Sequence, residues 1–115
     1  ISAVKDTATI KDISKNIERV LKGANLGIVK EFVGHGVGHR LHEEPNIPNY
    51  VNGSLSFELL EGMTIAIEPM AILGGEAVFI DNDGWTVKTK NDDMSAHFED
   101  TILVTKSGFE ILTRN

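Results

Sequence analysis

Positions 34–45, GHGVGHRLHEEP, limit most strongly what this chain can become. Three of its four histidines fall within eight residues, and three glycines fall within five. Glycine at this density disfavours a helix interior and lets the backbone pass close to a neighbour or a ligand. Imidazole binds divalent transition metals and exchanges protons near neutral pH. His35, set between two glycines, therefore stands where bulk is not tolerated. The remaining sequence has to supply what it meets.

The 115 residues suit one domain with a modest core. A net charge of -6 and the lack of a basic stripe argue against nucleic acid or an anionic membrane surface as a partner. With no cysteine, disulfides are excluded and a reducing compartment is permitted, so the expected setting is the cytoplasm. No apolar run reaches the length of a membrane span. The opening residues lack the apolar centre of a signal peptide. The chain starts on Ile1 rather than Met, which suggests an excised or processed piece.

Residues 1–8 read as the tail of a helix begun upstream. Thr9 is placed to cap a helix running to about Lys22, stopped by Gly23. Ile10, Ile13, Ile17, Val20 and Leu21 form its apolar stripe, to be packed on a sheet. A strand is expected over 28–33, then a loop over 43–50 because of its two prolines. Gly53, Ser54 and Gly62 mark turns. Further strands are expected at 63–67, at 76–80 and 85–89 as a hairpin around Asn82-Asp83-Gly84, at 97–105, and at 109–113 after a Ser107-Gly108 turn. One helix followed by antiparallel strands gives an α+β class.

Three residues invite metal chemistry together: His35, Glu68 before Pro69, and Glu99 within an apolar strand. Strand periodicity puts His97, Glu99, Thr101 and Leu103 on one face. A carboxylate partly buried there must protonate, pair or bind metal. One imidazole and two carboxylates from separate elements suit a divalent ion. Glu68 and Glu99 also have a plainer reading, as a solvated face residue or an ion-pair partner. His39 and His42 face either a substrate or simply solvent. His97 reads as a structural or supporting group. Glu43 and Glu44 either orient their loop or form a solvated pair.

Four collinear segments carry a family resemblance. GHGVGHRLHEEPNIPNY at 34–50 resembles the histidine motif of type I methionine aminopeptidases. EGMTIAIEPM at 61–70 is similar to their first glutamate motif, WTVKTKNDDMSAHFEDTILVT at 85–105 to their last, and GFEILT at 108–113 to their closing strand. The match extends over about residues 8–113. It implies the C-terminal half of a "pita-bread" fold, an antiparallel sheet packed against one or two helices.

The resemblance also implies roles. His35 and Glu68 would bind one metal and Glu99 would bridge two, drawn from Co2+, Mn2+, Fe2+ or Zn2+. His42 would hydrogen-bond the scissile peptide, Glu68 would move the proton, and Trp85 would stand near the pocket rim. The reaction implied is removal of the N-terminal methionine from polypeptides. The family's two aspartate ligands and a further pocket histidine come from an N-terminal part with no counterpart here. Asp81, Asp83, Asp92 and Asp93 do not match that motif.

With fewer ligands, less positive charge offsets Glu68 and Glu99, so one of the two pKa values is expected to rise. Open apolar surface is expected to recruit a companion N-terminal half or a second copy in a homodimer. Two other readings stand beside the first: a non-catalytic pita-bread binding module, and an Xaa-Pro dipeptidase or creatinase relative. The HEEPNIPNY run and Pro69-Met70 favour the methionine enzyme over the latter.

Overall fold

The computed structural model of the chain describes residues 1–53 and 56–114. Its one α-helix, α1 (Ile10–Gly23), starts where Thr9 predicts. The Thr9 hydroxyl accepts the Asp12 backbone N–H, and the Asp12 carboxylate accepts the Thr9 backbone N–H at 2.9 Å. Two otherwise orphaned donors are satisfied reciprocally. The buried stripe is narrower than expected: Ile10, Ile13, Ser14 and Ile17 face inward, whereas Val20 is 58% exposed. Residues 1–8 are turns, not a helix tail. Their backbone is tied to a distant segment through Thr7 N–H to the Leu59 carbonyl and Leu59 N–H to the Ala8 carbonyl.

Ten strands follow: β1 (Gly27–Ile28), β2 (Gly34–Val37), β3 (Glu43–Ile47), β4 (Thr64–Ile67), β5 (Met70–Ile72), β6 (Val78–Ile80), β7 (Val87–Thr89), β8 (Ser95–His97), β9 (Asp100–Thr105) and β10 (Gly108–Ile111). They form an antiparallel five-stranded sheet ordered β10-β9-β4-β2-β3, a three-stranded sheet β1-β5-β8 and the hairpin β6-β7. The α+β expectation holds, as do the 76–89 hairpin and the turns at Gly53 and Gly62, both with positive φ. The turn expected at Ser54 lies outside the described residues.

Three expectations differ, each for a reason of pairing. The strand expected at 28–33 ends at Ile28, and the strand that enters the main sheet is the glycine stretch itself. A Cβ on Gly34 would lie 2.3 Å from the Ala66 carbonyl oxygen, so a chain with a side chain there cannot come as close to β4. The loop expected at 43–50 begins as the edge strand β3. Its register slips between His35 and Gly36, which pair with Asn46 and Glu43, so Glu44 and Pro45 fall in the slip. An edge strand with a bulge tolerates a proline that cannot donate. The single strand expected at 97–105 is broken at Phe98 and Glu99, dividing it between two sheets.

The core lies between α1 and one face of the five-stranded sheet. Ile10, Ile13 and Ile17 pack with Ile47 of β3, Ile65 and Ile67 of β4, and Ile102 and Val104 of β9. Burying each such side chain contributes about 1.5–3 kcal/mol. Directly paired residues project to the same face. His35, Ala66 and Thr101 are paired in one row across β2, β4 and β9, on the face away from the helix. The helix fixes the sheet, and the sheet's far face carries the histidine.

Candidate metal centre

The site forms at a corner. β4 and β9 pair through Ile67 and Asp100, and β5 and β8 pair in the same register through Met70 and His97. The two pairs are one ribbon interrupted over Glu68-Pro69 and Phe98-Glu99, where proline cannot donate to the ladder. The Phe98 N–H still reaches the Pro69 carbonyl at 3.2 Å and holds the corner closed. In this register Glu68 and Glu99 stand opposite one another. Like charges directly opposite are destabilising, so nothing in folding alone favours the pair.

His35 enters the corner from β2. Its Nδ1 lies 2.8 Å from the Gly36 carbonyl oxygen, which only accepts, so Nδ1 carries the proton. In the neutral ring Nε2 then presents a lone pair, and it faces Glu68 Oε1 at 3.0 Å. Two acceptor atoms this close need a positive charge between them, either a proton or a metal ion. An imidazole nitrogen and a carboxylate oxygen are both donors to divalent transition metals, so the donor set fits such an ion.

Glu68 is largely buried, and its backbone is anchored from beneath by the fully buried Asn49, whose Nδ2 donates to the Glu68 carbonyl at 3.1 Å. Burial raises the Glu68 pKa above its ordinary value, and the nearby Glu99 charge raises it further. The imidazoles of His35, His97 and His42 act in the opposite direction. The expected rise of one carboxylate is thus found at Glu68, with desolvation ahead of repulsion. The expected partial burial of Glu99 is not found: it is exposed, at the break between β8 and β9.

The donor atoms that converge within 4.8 Å of one another belong to Glu68, His97 and Glu99. His35 meets this trio through Glu68. His42 is exposed, yet its ring centroid lies 4.0 Å from that of His35, beside the corner. His39 is exposed and makes no approach of this kind. Glu43 orients the turn that presents His42, accepting the Arg40 N–H at 2.7 Å. A cleft of about 550 Å³ opens over the site, with Phe32, His35, His42, Glu68 and Met70 among its lining. Trp85 is 86% exposed at the hairpin tip and lines neither this cleft nor the apolar one beside it.

Two features were not singled out from sequence. Asn49 sits inside the HEEPNIPNY segment, and its burial was the missing clue. Asp100, 6% exposed, accepts from Arg114 Nε at 2.9 Å and Nη2 at 2.5 Å and from the Thr113 hydroxyl, which ties the chain end to the residue after Glu99. The hairpin aspartates have local duties. Asp81 pairs with Lys88, and Asp83 caps the turn through Trp85 and Thr86.

The chain as a whole is similar to several known proteins. Methionine aminopeptidase of Borreliella burgdorferi is 48% identical over 105 residues, covering 90% of this chain and 42% of that protein. The crystal structure of methionine aminopeptidase from Thermotoga maritima superimposes with a TM-score of 0.95 at 42% identity, over all of this chain and 46% of the other. Prolidase from Pyrococcus furiosus gives 0.69 at 28% identity, over all of this chain and 28% of that one. The chain thus spans less than half the length of the methionine aminopeptidases it matches. The relatives share the pita-bread fold implied by the motifs. Residues 1–106 match the description "Metallopeptidase family M24", and with the His–Glu corner in place the chain belongs to that family.

Proposed function

We propose that this chain forms the histidine–carboxylate side of an aminopeptidase site that removes the N-terminal methionine from polypeptides. The observation that carries the proposal is His35 Nε2, its other nitrogen committed to a carbonyl, facing Glu68 Oε1 at 3.0 Å beside Glu99. The 40–48% identity to proteins named methionine aminopeptidase supports the substrate class. No observation favours the binding-module or prolidase readings over it.

Membership of a metallopeptidase family implies divalent metal ions. In this reading His35, Glu68 and Glu99 hold them, and Co2+, Mn2+, Fe2+ and Zn2+ all suit the donors. Bound there, the metal supplies Lewis acidity toward water and the peptide carbonyl. Glu68, beside the water, takes a proton from it and returns it to the leaving amine. His42 donates to the peptide from the cleft wall, whereas Trp85, outside the cleft lining, has no part in this reading. Phe32 and Met70 add apolar surface to the cleft lining.

The missing ligands come from a companion segment, because the hairpin aspartates are committed elsewhere and the chain spans only 42% of its relatives. Exposed Met94, Phe98 and Leu112 are suited to such a partner better than to solvent. The setting proposed is the cytoplasm. No helix among the described residues is long and apolar enough to cross a membrane.

The test is complementation. The chain is mixed with the N-terminal segment of a methionine aminopeptidase, and methionine release from a short peptide is followed with Mn2+ present. Release that needs both segments and the metal is expected. A stable complex that releases no methionine would overturn the proposal.

A further inference from the structure

Glu68 has two carboxylate oxygens, and His35 accounts for one. The other, Oε2, faces His97 Nε2 at 3.5 Å. That separation is long for a hydrogen bond between them, so the contact by itself is a weak reason for the ring to be there. His97 ends β8 and pairs with Met70, and Glu99 follows two residues later across the corner, opposite Glu68. One donor atom from each of Glu68, His97 and Glu99 falls within 4.8 Å of the others.

We propose that His97 is a metal ligand, completing with Glu68 and Glu99 a three-donor position built from the bent ribbon of this chain alone. The proposal rests on the reading of the corner as a metal centre and adds a residue to it. Glu68 then lies between two imidazoles, with His35 on Oε1 and His97 on Oε2. One imidazole with two carboxylates favours Co2+ or Zn2+ over Ca2+ or Mg2+, which prefer all-oxygen shells, and its carboxylates also accommodate Mn2+, a convenient paramagnetic probe. His97 is half exposed, so the ring is reachable from solvent and free to turn toward an ion. The position needs no residue from a companion segment, which distinguishes it from a centre completed only on assembly.

The experiment titrates Mn2+ into the 115-residue chain and its His97→Ala, His35→Ala and Glu68→Gln variants, following free Mn2+ by electron paramagnetic resonance. Pulsed measurements with 15N-histidine then report imidazole bound to the ion. The native chain is expected to bind, and His97→Ala to weaken binding by more than about tenfold. The imidazole coupling is expected to persist in His35→Ala, since His97 supplies it, so the outcome does not depend on the folding of His97→Ala. Unchanged affinity in His97→Ala, or loss of the coupling in His35→Ala, would overturn the role of His97 while leaving the corner reading intact. No binding by the native chain would overturn both.

Discussion

Replacing Gly34 by alanine tests whether the glycine stretch is there for close approach. The backbone at Gly34 is extended, so alanine meets no conformational penalty. The obstacle is the Ala66 carbonyl oxygen, 2.3 Å from where the new Cβ would sit, with its carbon at 3.3 Å and Ile47 Cβ at 3.4 Å. An ordinary contact of this kind needs about 3.2–3.5 Å, so β2 and β4 must separate by roughly 1 Å. The neighbouring His35–Ala66 pairing resists that movement. Overpacking of this kind costs about 1–3 kcal/mol. With a urea m-value of about 1.5 kcal/mol/M, the unfolding midpoint should fall by roughly 0.7–2 M. Gly108→Ala is the matched comparison, because nothing lies within 4 Å of its Cβ position and its φ is not positive. Its midpoint should move by less than about 0.3 M. Urea melts followed by circular dichroism read both. Equal midpoints for Gly34→Ala and Gly108→Ala would refute the argument that close strand approach requires glycine here.

Three further outcomes follow from particular residues. Ile102→Ala, at a fully buried position on β9 in the core shared with α1, should cost about 2–5 kcal/mol in the same assay. Thr9→Ala removes the helix cap and should cost about 1 kcal/mol. The hydrogen bonds from Thr9 depress the Asp12 pKa below 3.8, so its contribution is complete above that value and is lost as pH falls through the lower folded pKa. The penalty of Thr9→Ala should therefore shrink at strongly acidic pH. Glu68 behaves oppositely. Its folded pKa is raised, so its ionisation destabilises the metal-free fold as pH rises from 4.5 through that higher value. Metal-free Glu68→Gln should accordingly melt above the native chain at pH 7, while binding Mn2+ more weakly; a lower melting temperature would contradict the desolvation argument.

Local patterns reached α1, β4, the β6–β7 hairpin and β10, because capping, periodicity and turn chemistry act over a few residues. The motifs led to His35, Glu68 and His42 as neighbours, and the structure brings them together. What local patterns missed depends on pairing at a distance. The strand expected at 97–105 carries no internal breaker; it breaks because Pro69, across the ribbon, interrupts the ladder opposite Phe98. Glu99 lies in that break, and His97 Nε2 faces Glu68 Oε2 at 3.5 Å. β3 was hidden by Pro45 within it and Pro48 just after it, since only the register with β2 reveals that Pro45 falls at a slip on an edge. The Asp100–Arg114 pair links residues fourteen positions apart and has no periodic signature.

The central claim is that the corner of His35, Glu68 and Glu99 holds a divalent ion. Thermal unfolding of the metal-free chain with and without Mn2+ tests it most directly. Binding to the folded state at a hundred times the Kd stabilises by about 2.7 kcal/mol. For a domain of this size that raises Tm by roughly 10 °C. The account predicts this rise in the native chain and its loss in Glu68→Gln. Melting curves that coincide with and without Mn2+ would contradict it.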